Sequence, residues 1–182
     1  EQIHKIAVVG AGTMGQGIAQ VCAMSGFEVL LFDVNKEMLS KALHIIDSNL
    51  VKGIERGKVT EKQKDLTIAN ISLVNNQQEL VADLIIEAII ENLEVKQKLF
   101  GQLEEINGEH TIMASNTSSI PITRIAAALK RPQNFVGMHF FNPAHIMKLV
   151  EVISGVATDS VVAETIYNLS LKLEKVPVHA KD

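Results

Sequence analysis

Apolar runs of strand length alternate with stretches of helical periodicity along the whole chain. A strand is predicted over 3–9, where residues 6–9 are apolar without alternation, the pattern of a strand covered on both faces, and glycine-rich turn residues follow it. Helical spacing predicts a helix over 13–25, with Gly26 placed to end it, and then a second strand over 27–33. Asn35 has the character of an N-cap for a long helix. Its apolar stripe is Leu39, Leu43, Ile46, Leu50 and Ile54, with Gly53 and Gly57 marking its end. A short polar helix is predicted over 61–69. Further strands are predicted over 71–74, 84–88, 111–115, 135–140, 148–153 and 176–179, with helices over 93–106 and 160–174.

This βαβ alternation, with strands apolar on both faces, predicts an α/β fold with a mostly parallel, doubly wound sheet between helices. No internal repeat, low-complexity segment or Pro/Gly/Ser-rich linker divides residues 1–182, so one domain is expected. The chain stops directly after a strand, and truncation at a domain boundary is the corresponding expectation.

Composition narrows the picture. The 182 residues are 47% hydrophobic and 21% charged, which suits one globular domain with a substantial core. With 21 acidic against 17 basic side chains the net charge is −4 and no basic block stands out, so no nucleic-acid partner is expected. The apolar stretches, such as 82–90, are too short and too interrupted by acids to span a bilayer, so no membrane partner is expected either. No secretory leader is expected from the first residues, and a cytoplasmic setting is the reading. One cysteine, Cys22, excludes an intrachain disulfide framework and fits a reducing compartment; among Ile18, Val21 and Met24 it reads as an inert core thiol. The six histidines lack metal-site spacing, so no metal is expected.

The strongest local signal is Gly10-Ala11-Gly12-Thr13-Met14-Gly15, which follows a predicted strand and opens a predicted helix. Gly10 permits the tight turn out of the strand. Gly12 lets the backbone approach a pyrophosphate, and Gly15 lets the helix pack closely. The pyrophosphate would meet the free amides of the helix N-terminus. Asp33, at the end of the second strand, is placed to accept bonds from ribose hydroxyls and to repel a 2′-phosphate, favouring NAD over NADP. The plainer reading makes these glycines turn residues and Asp33 a helix-start residue. The register of strand, glycines, helix and acid favours a Rossmann-type nucleotide site.

A second candidate lies downstream. The strand over 135–140 carries His139 and meets Asn142-Pro143, a strand-stopping turn, before the chain returns over 148–153. If these strands pair antiparallel, the reversal centres near His145, and His139 lies opposite Glu151 on the same face. A His with a carboxylate partner suits removal of a hydroxyl proton. Such a pair on a hairpin is also often only a surface ion pair. The run Asn116-Thr117-Ser118-Ser119 follows another strand, where ligands of open sheets collect, and serves equally as a helix cap. Glu87 and Glu91 flank a strand end, and either fits the start of the next helix.

Together with Ile86-Glu87-Ala88, Glu91-Asn92-Leu93, Ser115-Asn116-Thr117-Ser118-Ser119, Gly137-Met138-His139-Phe140-Phe141-Asn142-Pro143 and Met147-Lys148-Leu149-Val150-Glu151-Val152, the glycine motif resembles the L-3-hydroxyacyl-CoA dehydrogenase family along the whole chain. The resemblance implies interconversion of (S)-3-hydroxyacyl-CoA and 3-oxoacyl-CoA with NAD. It implies His139 as general base, Glu151 as its electrostatic partner, and Ser118 near the nicotinamide and the substrate's 3-oxygen. It further implies Asn142 at the nicotinamide end and Glu91 and Lys96 as cofactor-cleft contacts. Asn49 and Arg56 fall where the family has a Ser and a Lys toward the coenzyme A portion. The family continues into an all-helical domain that dimerises and covers the acyl group. The expectation is therefore an NAD-binding piece of a homodimeric enzyme, poorly active alone. Two other readings stay open: a different NAD-dependent hydroxyacid dehydrogenase, separable by testing free hydroxy acids against CoA thioesters, and a non-enzymatic NAD-binding protein of crystallin-like or redox-sensing kind, separable by turnover.

Overall fold

The computed structural model describes residues 2–182. The strands are β1 (Lys5–Val9), β2 (Glu28–Phe32), β3 (Ile71–Val74), β4 (Leu84–Glu87), β5 (Ile112–Ser115), β6 (Phe135–Phe140), β7 (Leu149–Ser154) and β8 (Val176–Lys181). The helices are α1 (Thr13–Met24), α2 (Lys36–Glu55), α3 (Glu61–Ala69), α4 (Leu93–Ile106), α5 (Ile122–Ala126) and α6 (Ser160–Lys172). The strands form one sheet in the order β3-β2-β1-β4-β5-β6-β7-β8. All neighbours run parallel except β6 and β7. This is the Rossmann strand order, extended by a chain reversal at β6 and two further strands.

Alternation along the strands sorts the apolar residues into two layers. Ile6, Val8, Leu84, Ile86, Val136 and Met138 pack with Ile18, Leu39, Ile46 and Ile166 on the α1, α2 and α6 side. Ala7, Val9, Ile85 and Met113 pack with Phe100, Leu103, Ile122 and Ile125 on the α4 and α5 side. The strand order reverses direction between β1 and β4, opening a crevice at their carboxyl ends, where open α/β sheets bind ligands.

The predicted strands and helices agree with the observed ones to within two residues at their ends, the last strand reaching Lys181. One assignment is corrected. Gly53 does not end α2 but lies in its last turn, where a Cβ would come 2.6 Å from the Val59 side chain. Gly57, with φ +72°, is the residue that turns the chain out of the helix.

Candidate active site

The β1–α1 turn is shaped by missing side chains. At Gly10 (φ +108°) a Cβ would lie 2.7 Å from the Ala88 carbonyl oxygen, and at Gly15 it would lie 1.6 Å from that of Gly10. Both close approaches are backbone to backbone and admit no other residue. At Gly12 a Cβ would meet nothing within 4 Å, so the turn faces open space there. α2, α3, α4 and α6 have their first amides capped by the side chains of Asn35, Thr60, Asn92 and Asp159. α1 has neither a side-chain cap nor an acidic residue in its first turn. Its free amides and open approach fit a diphosphate, the group that an NAD molecule presents.

Asp33 lies beside this turn. Its Oδ2 accepts from the Ala11 amide at 3.0 Å and its Oδ1 from the Asn35 amide at 3.0 Å. It shares a pocket of about 460 Å³ with Gly10, Val34, Ile89, Ile90 and Val95, a mostly apolar slot with a carboxylate at its rim, suited to an adenosine.

A second cleft, about 290 Å³, is lined by Met14, Glu91, Lys96, Asn116, Ser118, His139, Phe141 and Asn142. Most residues expected of the catalytic and nicotinamide end thus line one space. β6 and β7 pair with His139 directly opposite Glu151, as the spacing predicts. His139 Nδ1 and Glu151 Oε1 are 2.9 Å apart, with the His side chain 15% exposed and the Glu side chain 36%. With Nδ1 protonated and donating to the carboxylate, Nε2 carries the lone pair. The imidazole also packs against Phe141, ring centres 4.5 Å apart, a contact the sequence did not single out. The Asn116 Oδ1 accepts the Phe140 amide at 2.7 Å, and the Asn116 amide donates to the Glu87 carbonyl at 2.9 Å, which fixes the strand ends beneath the cleft.

Glu87 and Lys96 form a core to this wall. Glu87 is fully buried and Lys96 is 1% exposed. Lys96 Nζ donates to Glu87 Oε2 at 2.5 Å and lies 3.0 Å from Glu91 Oε1. Ser115 Oγ and the Ile89 amide donate to the same Glu87 carboxylate. Lys96 therefore reaches the cleft chiefly through Glu91, whose Oε2 accepts from Thr117 Oγ1 at 2.7 Å and Ser119 Oγ at 2.8 Å. Burial pushes the Glu91 carboxyl up, but the bonds from Thr117, Lys96 and Ser119 and the Lys96 charge outweigh it and hold it at about 2. Glu91 is thus an ionised wall of the cleft and no proton acceptor. The buried role of Glu87 was missed because a strand-end acid reads as a helix-start residue until its partner is known.

Asn49 and Arg56 come together in a third pocket, about 320 Å³, between α1, α2 and the β6–β7 loop. Lys52, Lys58 and Lys148 also line it beside His145, a lysine-rich set that the sequence pattern does not assemble. Asn49 donates to Gln20 Oε1 at 3.1 Å, tying α2 to α1. Burial first, then the Lys175 and Lys52 charges, lower the His145 pKa. Cys22 is buried, and burial outweighs the nearby Lys175 charge to push its thiol up to about 12. Among the described residues no group of three His, Cys, Asp or Glu gathers as for a metal ion, and no helix is long and apolar enough to cross a membrane.

Comparison with known proteins bears on the family and the fold. The 3-hydroxyacyl-CoA dehydrogenase NAD-binding domain family matches residues 5–182. A 3-hydroxyadipyl-CoA dehydrogenase of Escherichia coli is 46% identical over 97% of this chain and 37% of its own length. A 3-hydroxybutyryl-CoA dehydrogenase of Clostridioides difficile is 44% identical over 98% of this chain and 64% of its own. The crystal structure of an Escherichia coli 3-hydroxybutyryl-CoA dehydrogenase superposes with a TM-score of 0.98 at 45% identity, covering all of this chain and 39% of the other. The chain thus spans between about a third and two thirds of these relatives. With the glycine turn and the acid-rimmed slot both at the carboxyl ends of β1 and β2, and the family matching residues 5–182, the chain belongs to the 3-hydroxyacyl-CoA dehydrogenase family as its NAD-binding domain.

Proposed function

We propose that the protein containing this domain oxidises (S)-3-hydroxyacyl-CoA thioesters to 3-oxoacyl-CoA and catalyses the reverse reduction, in the cytoplasm. The observation that carries the reading is that His139, held by Glu151 behind it, lines the same cleft as Met14 of the glycine turn and as Asn142. NAD, when bound, supplies the hydride acceptor. His139 Nε2 takes the hydroxyl proton, and Glu151 holds the ring in the required tautomer and stabilises the imidazolium. Ser118 orients the substrate oxygen, Asn142 and Met14 bound the nicotinamide end, and Glu91 with Lys96 behind it forms the wall. Gly10, Gly12, Thr13 and Gly15 bind the diphosphate, and Asp33 binds the adenosine ribose. The cationic pocket with Asn49 and Arg56 takes the phosphates of coenzyme A.

The share of the relatives' length left uncovered here has room for the helical domain that the family resemblance implies, through which the protein dimerises and covers the acyl group.

The test is turnover by the full-length protein with acetoacetyl-CoA and NADH, set against free 3-hydroxy acids with NAD. His139→Gln should keep NADH affinity and lose about 10²–10⁴ in kcat. Near-normal turnover by that variant would remove the base assignment, and preference for free acids would point to another dehydrogenase.

A further inference from the structure

The β6–β7 loop, residues 141–148, stands between two pockets. Phe141 and Asn142 line the cleft with His139, whereas His145, Ile146 and Lys148 line the cationic pocket. Within the loop, the Ile146 and Met147 amides both donate to the Pro143 carbonyl, at 3.0 and 2.9 Å, closing one turn. Ala144 packs against α1, where a Cβ on Gly17 would come 3.0 Å from its own.

The loop's carbonyls are gripped from elsewhere in the chain. Lys175, just ahead of β8, donates from Nζ to the Ala144 carbonyl at 2.5 Å and to the Met147 carbonyl at 2.6 Å. Lys175 is 7% exposed, and among the described residues no carboxylate pairs with it. Glu174 before it has φ +61°, a conformation uncommon for a residue with a side chain, and the bend carries the chain out of α6 toward β8. A buried ammonium without a counter-ion is costly, and burial together with the Lys148 charge lowers its pKa despite nearby Cys22. An apolar side chain would fill the space at less cost, but it would leave the buried Ala144 carbonyl and the part-buried Met147 carbonyl without this donor.

We propose that Lys175 is a positioning residue of the active site, whose grip on the Ala144 and Met147 carbonyls sets the β6–β7 loop so that both pockets address one substrate. The inference rests on the reaction proposed above. It assigns Lys175 no contact with substrate or cofactor.

The test compares Lys175→Met and Lys175→Ala with wild type in the full-length protein. In Lys175→Met, kcat/KM for acetoacetyl-CoA should fall about 10–100-fold, with KM raised and kcat lowered, because misplacement of that order costs this much. NADH affinity should stay within about threefold, since the glycine turn is untouched. Amide exchange at Ile146 and Met147 should quicken about tenfold. Propylammonium should restore part of the rate of Lys175→Ala, and tetramethylammonium, which has no N–H to donate, should not. Wild-type rate in Lys175→Met, a reduced rate with unchanged loop exchange, or absence of rescue would each overturn the proposal. If Lys175→Met does not fold, rescue of Lys175→Ala decides. Failure of the reaction itself shows separately, as absence of turnover by wild type, while loop exchange still reports the grip.

Discussion

The Asp33 carboxylate bonds the Ala11 amide at 3.0 Å, joining the end of β2 to the glycine turn after β1. The residue proposed to select the ribose therefore also helps to build the loop proposed to meet the diphosphate. Asp33→Ala should lose both functions. Bonds to a charged acceptor are worth about 1.5–3 kcal/mol, so NADH affinity should drop about 10–100-fold and the preference for NADH over NADPH should narrow. Fluorescence titration with the two nucleotides measures this. Unchanged NADH affinity would show that Asp33 does neither.

Glu151→Gln keeps an oxygen facing His139 Nδ1 but removes the charge. The imidazolium formed as the base takes its proton would lose its counter-ion. We expect kcat to fall about 10–100-fold with NADH affinity unchanged. Steady-state rates on the full-length protein, with nucleotide titration alongside, distinguish this from loss of cofactor binding.

Lys96 and Glu87 form a buried ion pair, and breaking it from one side strands a charge. Lys96→Met should destabilise the chain by about 3–5 kcal/mol. The double variant Glu87→Gln with Lys96→Met should recover most of that loss, because no uncompensated charge remains fully buried; Glu91, which also loses Lys96, has a side chain 40% exposed. Urea unfolding of the single and double variants provides the comparison, and additive losses would refute the pairing argument.

Glu91 gives a pH signature. Its carboxyl is lowered from 4.5 to about 2 in the folded chain. A depressed carboxylate stabilises the fold above its unfolded pKa, and that contribution fades as pH falls from 4.5 through about 2. Wild type should accordingly take up roughly one more proton on unfolding in this window than Glu91→Gln does. Thermal melts of both chains between about pH 5 and pH 2.5 test it, and parallel pH dependences would contradict it.

The layout of the sheet and the facing of His139 and Glu151 were legible because both depend on spacing along neighbouring strands. Period-two alternation and one short reversal suffice to place residues 12 positions apart opposite each other. The glycine turn was legible because its demand for missing side chains is local. The role of Gly53 was misread, since glycine signals a helix end by propensity, whereas here it makes room for Val59 from the following turn. Glu87 with Lys96 and Lys175 with Ala144 and Met147 were not legible. Each is a buried charge meeting partners brought close only by the packing of separate elements, and nothing in local composition reports such meetings. Of this pocket the sequence offered only Asn49 and Arg56; Lys52 lies on the same helix, but Lys58 comes from the turn after α2, and His145 and Lys148 from the β6–β7 loop.

The contact between Ala144 and Gly17 has a consequence for the entropy of the reaction. It seats the segment following His139 directly on the helix whose first turn faces the diphosphate. On the proposed reading, the acid–base pair and the nucleotide cradle are joined by direct packing. If the proposed reaction holds, that packing sets their relative orientation when the chain folds, and the ordering left for each turnover would concern mainly the incoming thioester.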